Sequence, residues 1–378
     1  MARPRRRKSG FSRIELLIVI TTIVFLMSMI VPASQQVIGR TRLIRCGENL
    51  RNIASAMGTY ASSHDGRLPP GVASCMDPSR QHITGSSQTG DVCPGRNWAL
   101  AILQGLDEGR AAVGVVNCPK CGGKHCSNQM VDANKDQGNN VSVTTPQVFI
   151  CPSAPWMTLA ERFAGDGPQT WKPLSKGNYA ANFGKGTLSD AIEYYPGGVD
   201  GEQRWRKLTM QGPFRVEHAR QTGKENDGRF SSGWKSGHRT GIRITDGAQN
   251  TLMLSEVIGF DSRHDGRGAW ASSLMGGAMF TGKSGPNADG LNDPSLYDRI
   301  QLCAENEIPK NNPLYCGKDA PNDGNVWAAA RSGHPGGVNA ITCANSVKFY
   351  SNSVDLEIWQ ALCTRSGDSQ LESQLDLH

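Results

Sequence analysis

Near its start the chain carries an apolar run that sets the terms for everything after it. From Leu16 to Val31 there are sixteen consecutive residues without a charge. Counted from Ile14, the segment rises ~27 Å as a helix, close to the hydrocarbon thickness of a bilayer. Arg3, Arg5, Arg6, Arg7 and Lys8 precede it. A basic head before a long apolar run is a membrane-targeting pattern. The basic residues stay on the cytoplasmic side, so the rest of the chain is expected outside it, on a single-pass anchor in the cytoplasmic membrane. A cleaved secretory signal would close on small residues at a cleavage site. Here the run flows into more helix-compatible sequence.

Those five basic residues also account for most of the charge excess. The chain has 40 Lys and Arg against 34 Asp and Glu. Setting the five aside leaves 35 against 34, so the body offers no phosphate-tracking surface and no nucleic-acid partner is expected.

Beyond the apolar run, Leu43, Cys46, Leu50, Ile53, Met57 and Tyr60 recur at steps of three and four. This spacing draws one stripe along a helix, opposite a face carrying Arg40, Arg42, Arg45, Glu48, Arg51 and Asn52. The pattern predicts a single helix from Phe11 to about Ser63, bent at Pro32 and stopped by His64-Asp65-Gly66. The stripe is expected to pack on a sheet. Residues 11–33 form the transmembrane segment in this reading, 34–63 the amphipathic helix and 64–378 a sheet-based body.

The body is rich in turns, with eight Asp-Gly pairs, a favoured hairpin or loop dipeptide. Short strand-like runs lie at 148–150, 251–254, 337–343 and 347–350. The last two read as a hairpin turning at Ala344-Asn345. Ser353 is a candidate cap for a final helix over 354–362. Residues 71–147 and 261–325 are polar, turn-forming stretches expected to be long loops or insertions.

Glu15 is out of place in a simple anchor, because a carboxylate in the membrane is costly unless paired. If the chain is cut between Gly10 and Phe11, the new amino group at Phe11 is a partner, its own or a neighbouring subunit's. The stretch Lys8-Ser9-Gly10-Phe11-Ser12-Arg13-Ile14-Glu15-Leu16-Leu17 resembles the signal of type IV prepilins and type II secretion pseudopilins. That resemblance implies processing by a prepilin peptidase after Gly10, methylation of Phe11, and a role for Glu15 in assembly with other pilin-like subunits. Arg13 departs from the pattern, where an uncharged residue is usual. The alternative is a plain signal anchor.

The body is similar to a bacterial family, abundant in planctomycetes, of pseudopilin-like proteins that join a prepilin start to a domain of unknown function with a His-x9-Asp-Gly motif. Five stretches carry the similarity: 42–50 with Cys46 and Asn49, Phe149–Ser153, Asn178–Gly184, Ile244–Glu256, and 332–365 beginning at Ser332-Gly333-His334. Where the family has Asp-Gly after the motif histidine His334, this chain has Ala344-Asn345; Asn also accepts a left-handed turn. The resemblance implies an α+β, pilin-like fold, a long N-terminal helix packed on an antiparallel sheet with long loop insertions. It implies no chemistry.

Eleven cysteines leave several sites open. Cys118-Pro-Lys-Cys121, with His125 and Cys126, resembles one knuckle of a zinc ribbon, completed by Cys93 or Cys151; disulfides are the competing reading in an oxidising compartment. Cys303 and Cys316 are a candidate local bridge. Cys46 is either core filling or a bridge from helix to sheet. Asp246, Asn250 and Glu256, and separately Asn287, Asp289, Asn292 and Asp293, are oxygen-rich enough for calcium, but neither follows an EF-hand spacing, and turn caps are the simpler account. His334 is read as holding the start of the hairpin by hydrogen bonds. Neither a Gly-x-Ser-x-Gly elbow nor a His-Glu-x-x-His helix is present, so no enzyme is expected.

Three functions compete on this sequence. The first is a structural pilin-like or pseudopilin-like subunit. The second is an anchored extracytoplasmic ligand- or glycan-binding module using Trp156, Trp171, Trp205, Trp234, Trp270 and Tyr179 as aromatic platforms. The third is a metal-dependent hydrolase.

Overall fold

The structure is a computed structural model. It describes residues 12–69, 71–74, 97–106, 145–154, 163, 174–187, 210–214, 216–218, 244, 246–272, 274–291, 293–300, 302–316 and 326–367. The expected long helix, α1, spans Arg13–Ser62. Ser12 caps it: the Ile14 amide donates to the Ser12 hydroxyl, and the Ser12 amide donates to the Glu15 carboxylate at 2.8 Å. These reciprocal bonds satisfy amide groups that a helix start leaves unpaired. α1 runs through Pro32 as one helix, so the proline does not end it.

The strands are β1 (Val72–Ser74), β2 (Tyr179–Asn182), β3 (Val216–His218), β4 (Leu252–Glu256), β5 (Met279–Phe280), β6 (Gly337–Thr342) and β7 (Val347–Ser351). β1 and β3 form a two-stranded parallel pair. The main sheet has five strands in the order β5-β2-β4-β6-β7. The expected antiparallel sheet is therefore corrected to a mixed one, since β5 joins β2 in parallel. A parallel pair needs a crossover connection, and the chain between β4 and β5 supplies it. Local sequence pattern carries no trace of that return.

The residues expected to form a loop around β5 are in fact part of the core. Trp270, Met275 and Phe280 are fully buried. Below them, Arg267 bonds Asp265 at 2.8 Å and Asp298 at 3.2 Å, and Arg331 bonds Asp298 at 2.9 Å. All four side chains are buried. Burial alone would raise the Asp298 carboxyl, but Arg331 and Arg267 hold it below the ordinary carboxylate range. Two arginines against two aspartates leave no net charge to desolvate, the condition under which buried ions are tolerated.

Helix α1 covers one face of the sheet, and α3 (Leu356–Cys363), which follows the short helix α2 (Trp98–Ala101) in the chain, lies against the other. The strands alternate accordingly. Tyr179, Ala181 and Ile341 join the α1-side core, while Ala180, Val338 and Ala340 join Trp359 and Cys363 of α3. Alternation breaks at Met253 and Leu254, which both face the α1 side where the β4–β6 register shifts. Cys46, Leu50, Ile53 and Met57 of the predicted stripe are fully buried. Each such apolar side chain contributes about 1.5–3 kcal/mol. Gly47 lets the helix come close, since a Cβ there would sit 3.3 Å from Val347 Cγ1.

Two local readings are corrected. Residues 147–149 form a 3-10 turn rather than a strand, because a three-residue apolar run between Pro146 and Pro152 is too short to settle its own conformation. Helix α3 starts two residues later than expected. Asp355 caps it by accepting from the Glu357 and Ile358 amides, while the Ser353 hydroxyl pairs with that of Ser351. The 337–351 hairpin forms as read, and Asn345 takes the left-handed turn conformation at φ 61°.

Candidate functional site

Where α1 meets the body, residues from distant parts of the chain converge. The stripe spacing puts Cys46 on the buried face of α1. Cys151 lies two residues past the 3-10 turn at 147–149. The two form a disulfide with Cα atoms 5.1 Å apart, closing a separation of 105 residues. Glu256 ends β4. The β4–β6 pairing sets it opposite Asn339, whose backbone amide donates to Glu256 Oε2 at 2.7 Å and whose side-chain amide donates to Oε1 at 3.2 Å.

His334 arrives on the tight turn before β6. Its amide donates to the Ser332 hydroxyl, which donates to the Gly337 carbonyl and so ties the turn to the start of β6. Gly333 is required here, because a Cβ would fall 1.8 Å from the Ser153 carbonyl oxygen. The imidazole reaches inward and places Nε2 3.1 Å from Glu256 Oε1. Cys151 Sγ lies 3.6 Å from the same carboxylate oxygen and 3.6 Å from His334 Nε2. A sulfur bonded to Cys46 has no hydrogen to give, so its approach to the carboxylate is a contact and not a hydrogen bond, and toward His334 it can only accept. Cys46, Cys151, Glu256 and His334 are all buried, with their ligand atoms within 4.8 Å of one another.

A polar frame holds this cluster. Asn49 donates to the Ile150 carbonyl and to the Tyr179 hydroxyl; Tyr179 donates to the Cys46 carbonyl. The Asn178 side chain accepts from the Cys151 amide at 2.9 Å and donates to the Val257 carbonyl. Asn339 also reaches the Leu43 carbonyl of α1. Burial pushes the Tyr179 hydroxyl well above its ordinary pKa, and the nearby Glu256 charge adds to the shift. It stays a neutral donor. All five stretches carrying the family resemblance meet here: Cys46 and Asn49, Cys151, Asn178 and Tyr179, Glu256, then His334 and Asn339.

Sequence reading singled out His334 and left Cys46 open between core and bridge. Asp246 and Glu256, grouped by sequence as oxygen-rich with turn caps preferred over calcium, are separated by the structure: Glu256 turns to His334, while Asp246 accepts from the Gly367 amide. In the second oxygen-rich group Asp289 accepts from the Leu291 amide and Asp293 from the Ser295 amide as turn caps, Asn287 accepts from the distant Ser332 amide, and Asn292 lies outside the described residues. No local signal joins Glu256 to His334, 78 residues on.

The Cys303–Cys316 bridge forms as expected. Among the described residues the free cysteines are Cys343 and Cys363. Burial raises both thiols, that of Cys343 to about 12, so neither is a nucleophile near neutral pH. Trp270 and Tyr179 are buried in the core and cannot serve as exposed aromatic platforms. Trp156, Trp171, Trp205 and Trp234 lie outside the described residues, as do Gly10, Phe11, Cys118, Cys121, His125 and Cys126. Asn345 sits at the hairpin turn and takes no part in the cluster.

The molecule is thus an α+β protein whose sheet is pinned to a long N-terminal helix, and that helix is long and apolar enough to cross a membrane. The chain belongs to the family described as a protein of unknown function (DUF1559), which matches residues 40–357. That match takes in the junction and all five strands of the main sheet. No curated protein and no solved structure gives a match.

Proposed function

We propose that the protein is a structural, membrane-anchored subunit of pilin-like or pseudopilin-like type. In this reading a prepilin peptidase cuts after Gly10, and residues 11–33 hold the chain in the cytoplasmic membrane. The body lies outside the cytoplasm. Subunits assemble by packing their apolar helix segments, with Glu15 neutralising the Phe11 amino group of a neighbour.

The observation that carries the reading is the division of α1. From Ile14 to Val31 its large apolar side chains are exposed, Ile14 at 70% and Phe25 at 60%. Its second half is clamped into the core by burial and a disulfide. Such a helix presents apolar surface that only lipid or other helices cover, and it transmits any pull on the anchor to the body. The two described disulfides suit an oxidising compartment. Glu15 stands at the first turn, where its carboxylate accepts the Ser12 amide.

The test is co-assembly of tagged wild-type and Glu15→Ala chains in the same cells. The reading expects the variant body to keep its urea midpoint while its share of any assembled fraction falls well below wild type. Equal incorporation of the two contradicts it.

A further inference from the structure

The junction cluster has the composition and spacing of a metal site with one edge closed by a covalent bond. Tetrahedral zinc binds sulfur at ~2.3 Å and nitrogen or oxygen at ~2.0–2.2 Å. Those bond lengths set ligand atoms ~3.6 Å apart for sulfur to oxygen or nitrogen, ~3.4 Å for nitrogen to oxygen, and ~3.8 Å for sulfur to sulfur. Here Cys151 Sγ stands 3.6 Å from Glu256 Oε1 and 3.6 Å from His334 Nε2, and the latter two are 3.1 Å apart. The two edges from Cys151 match these lengths, and the shorter His334–Glu256 edge, a hydrogen bond in this state, opens slightly on loading. The sulfur-to-sulfur edge is held short by the disulfide.

The surroundings are also those of a metal site. The cluster is closed to water, and Asn339 fixes both oxygens of Glu256. Ligating carboxylates are oriented by outer hydrogen bonds of this kind. With the disulfide intact, a carboxylate oxygen faces a sulfur that offers it no hydrogen. An ion among the four groups would replace that contact with two bonds.

We propose that the reduced chain binds one zinc ion through Cys46 Sγ, Cys151 Sγ, the Glu256 carboxylate and His334 Nε2, so that the same four residues staple α1 to the body either by a disulfide or by a metal. A dithiol reductant opens the bond by exchange. It gives two electrons and two protons to the cysteine pair and becomes a disulfide itself. Zinc then displaces both thiol protons to solvent and binds the two thiolates and the neutral imidazole. A small disulfide reverses the sequence by exchange: it takes two electrons and two protons and becomes a dithiol as the Cys46–Cys151 bond re-forms and the ion leaves. Because the cluster is buried, loading accompanies folding or local opening of the 332–336 turn.

The test uses the full-length chain in detergent, with Cys118, Cys121 and Cys126 changed to Ser to remove the other thiol cluster. The chain is unfolded, reduced with a phosphine, and refolded with zinc sulfate or cobalt chloride alone. The phosphine takes up oxygen from water as the disulfide becomes two thiols, and it leaves no competing dithiol.

One tightly held ion per chain is expected, with thiolate-to-cobalt absorption and an X-ray absorption spectrum showing two sulfur and two nitrogen or oxygen neighbours. His334→Ala and Cys46→Ser should each lose that ion or weaken it at least a hundredfold. Peptide mapping of the unsubstituted cluster, which needs no variant to fold, should show zinc slowing alkylation of Cys46 and Cys151 relative to chelator-treated chain. The proposal fails if the reduced chain holds no ion, if the ion has three or four sulfur neighbours, or if zinc leaves the alkylation of these two cysteines unchanged.

Discussion

The two halves of α1 share one backbone and obey different rules. From Leu16 to Val31 the helix carries no charge, and none of the described residues covers its large apolar side chains. From Cys46 to Met57 only a stripe is apolar, and that stripe is fully buried while Arg45, Glu48 and Arg51 stay exposed. The first half is composed for a surrounding of uniform low polarity, the second for one protein face and one water face. A helix built this way is stable in its first half only where something apolar surrounds it. Its second half belongs to the body's own core.

The largest expected effect comes from cutting the covalent tie in the second half. Changing Cys46 and Cys151 together to Ala releases a loop of about a hundred residues, and unfolding free energy should fall by about 4 kcal/mol. Denaturant titration of the full-length chain in detergent under oxidising conditions measures it. A loss under about 1 kcal/mol would mean that packing alone holds the helix.

Truncating the stripe is next. Leu50→Ala empties a fully buried site and should cost about 3 kcal/mol in the same titration.

Acid separates the regions without mutation. The Asp298 carboxyl, held low by its arginines against the effect of burial, contributes stability that is complete above its unfolded pKa of about 4. That contribution is lost as pH falls through the depressed folded value. The body's melting temperature should therefore drop below about pH 4, while the helical signal of the apolar half in detergent persists. Parallel loss of both signals would show that the halves do not behave separately.

The smallest effect is expected in the first half. Leu26 is exposed, so Leu26→Ala should move the body's unfolding free energy by less than about 0.5 kcal/mol.

Much of this contrast can be read without a structure. Charge-free length marks the first half of α1, and steps of three and four from Cys46 to Met57 mark the second. The 337–351 hairpin is equally plain, because Asn345 takes the left-handed turn that its position requires. Elements whose conformation depends on distant partners are not legible in this way. β5 has two residues, and only its pairing with β2 makes it a strand. Val148-Phe149-Ile150 has strand composition but a 3-10 shape. Glu256 looks like part of a turn-rich acidic stretch until the sheet register sets it opposite Asn339 and beside His334. The cluster is legible only in pieces, because its four side chains are brought together by the sheet and one disulfide rather than by spacing along the chain.

The most direct test of the anchored-subunit account is mass spectrometry of the chain purified from membranes of cells that make it. The account predicts a mature polypeptide that begins at Phe11, carries one methyl group on its amino nitrogen and keeps the whole of α1. A polypeptide that begins beyond Val31, or that retains the arginine-rich leader, contradicts it.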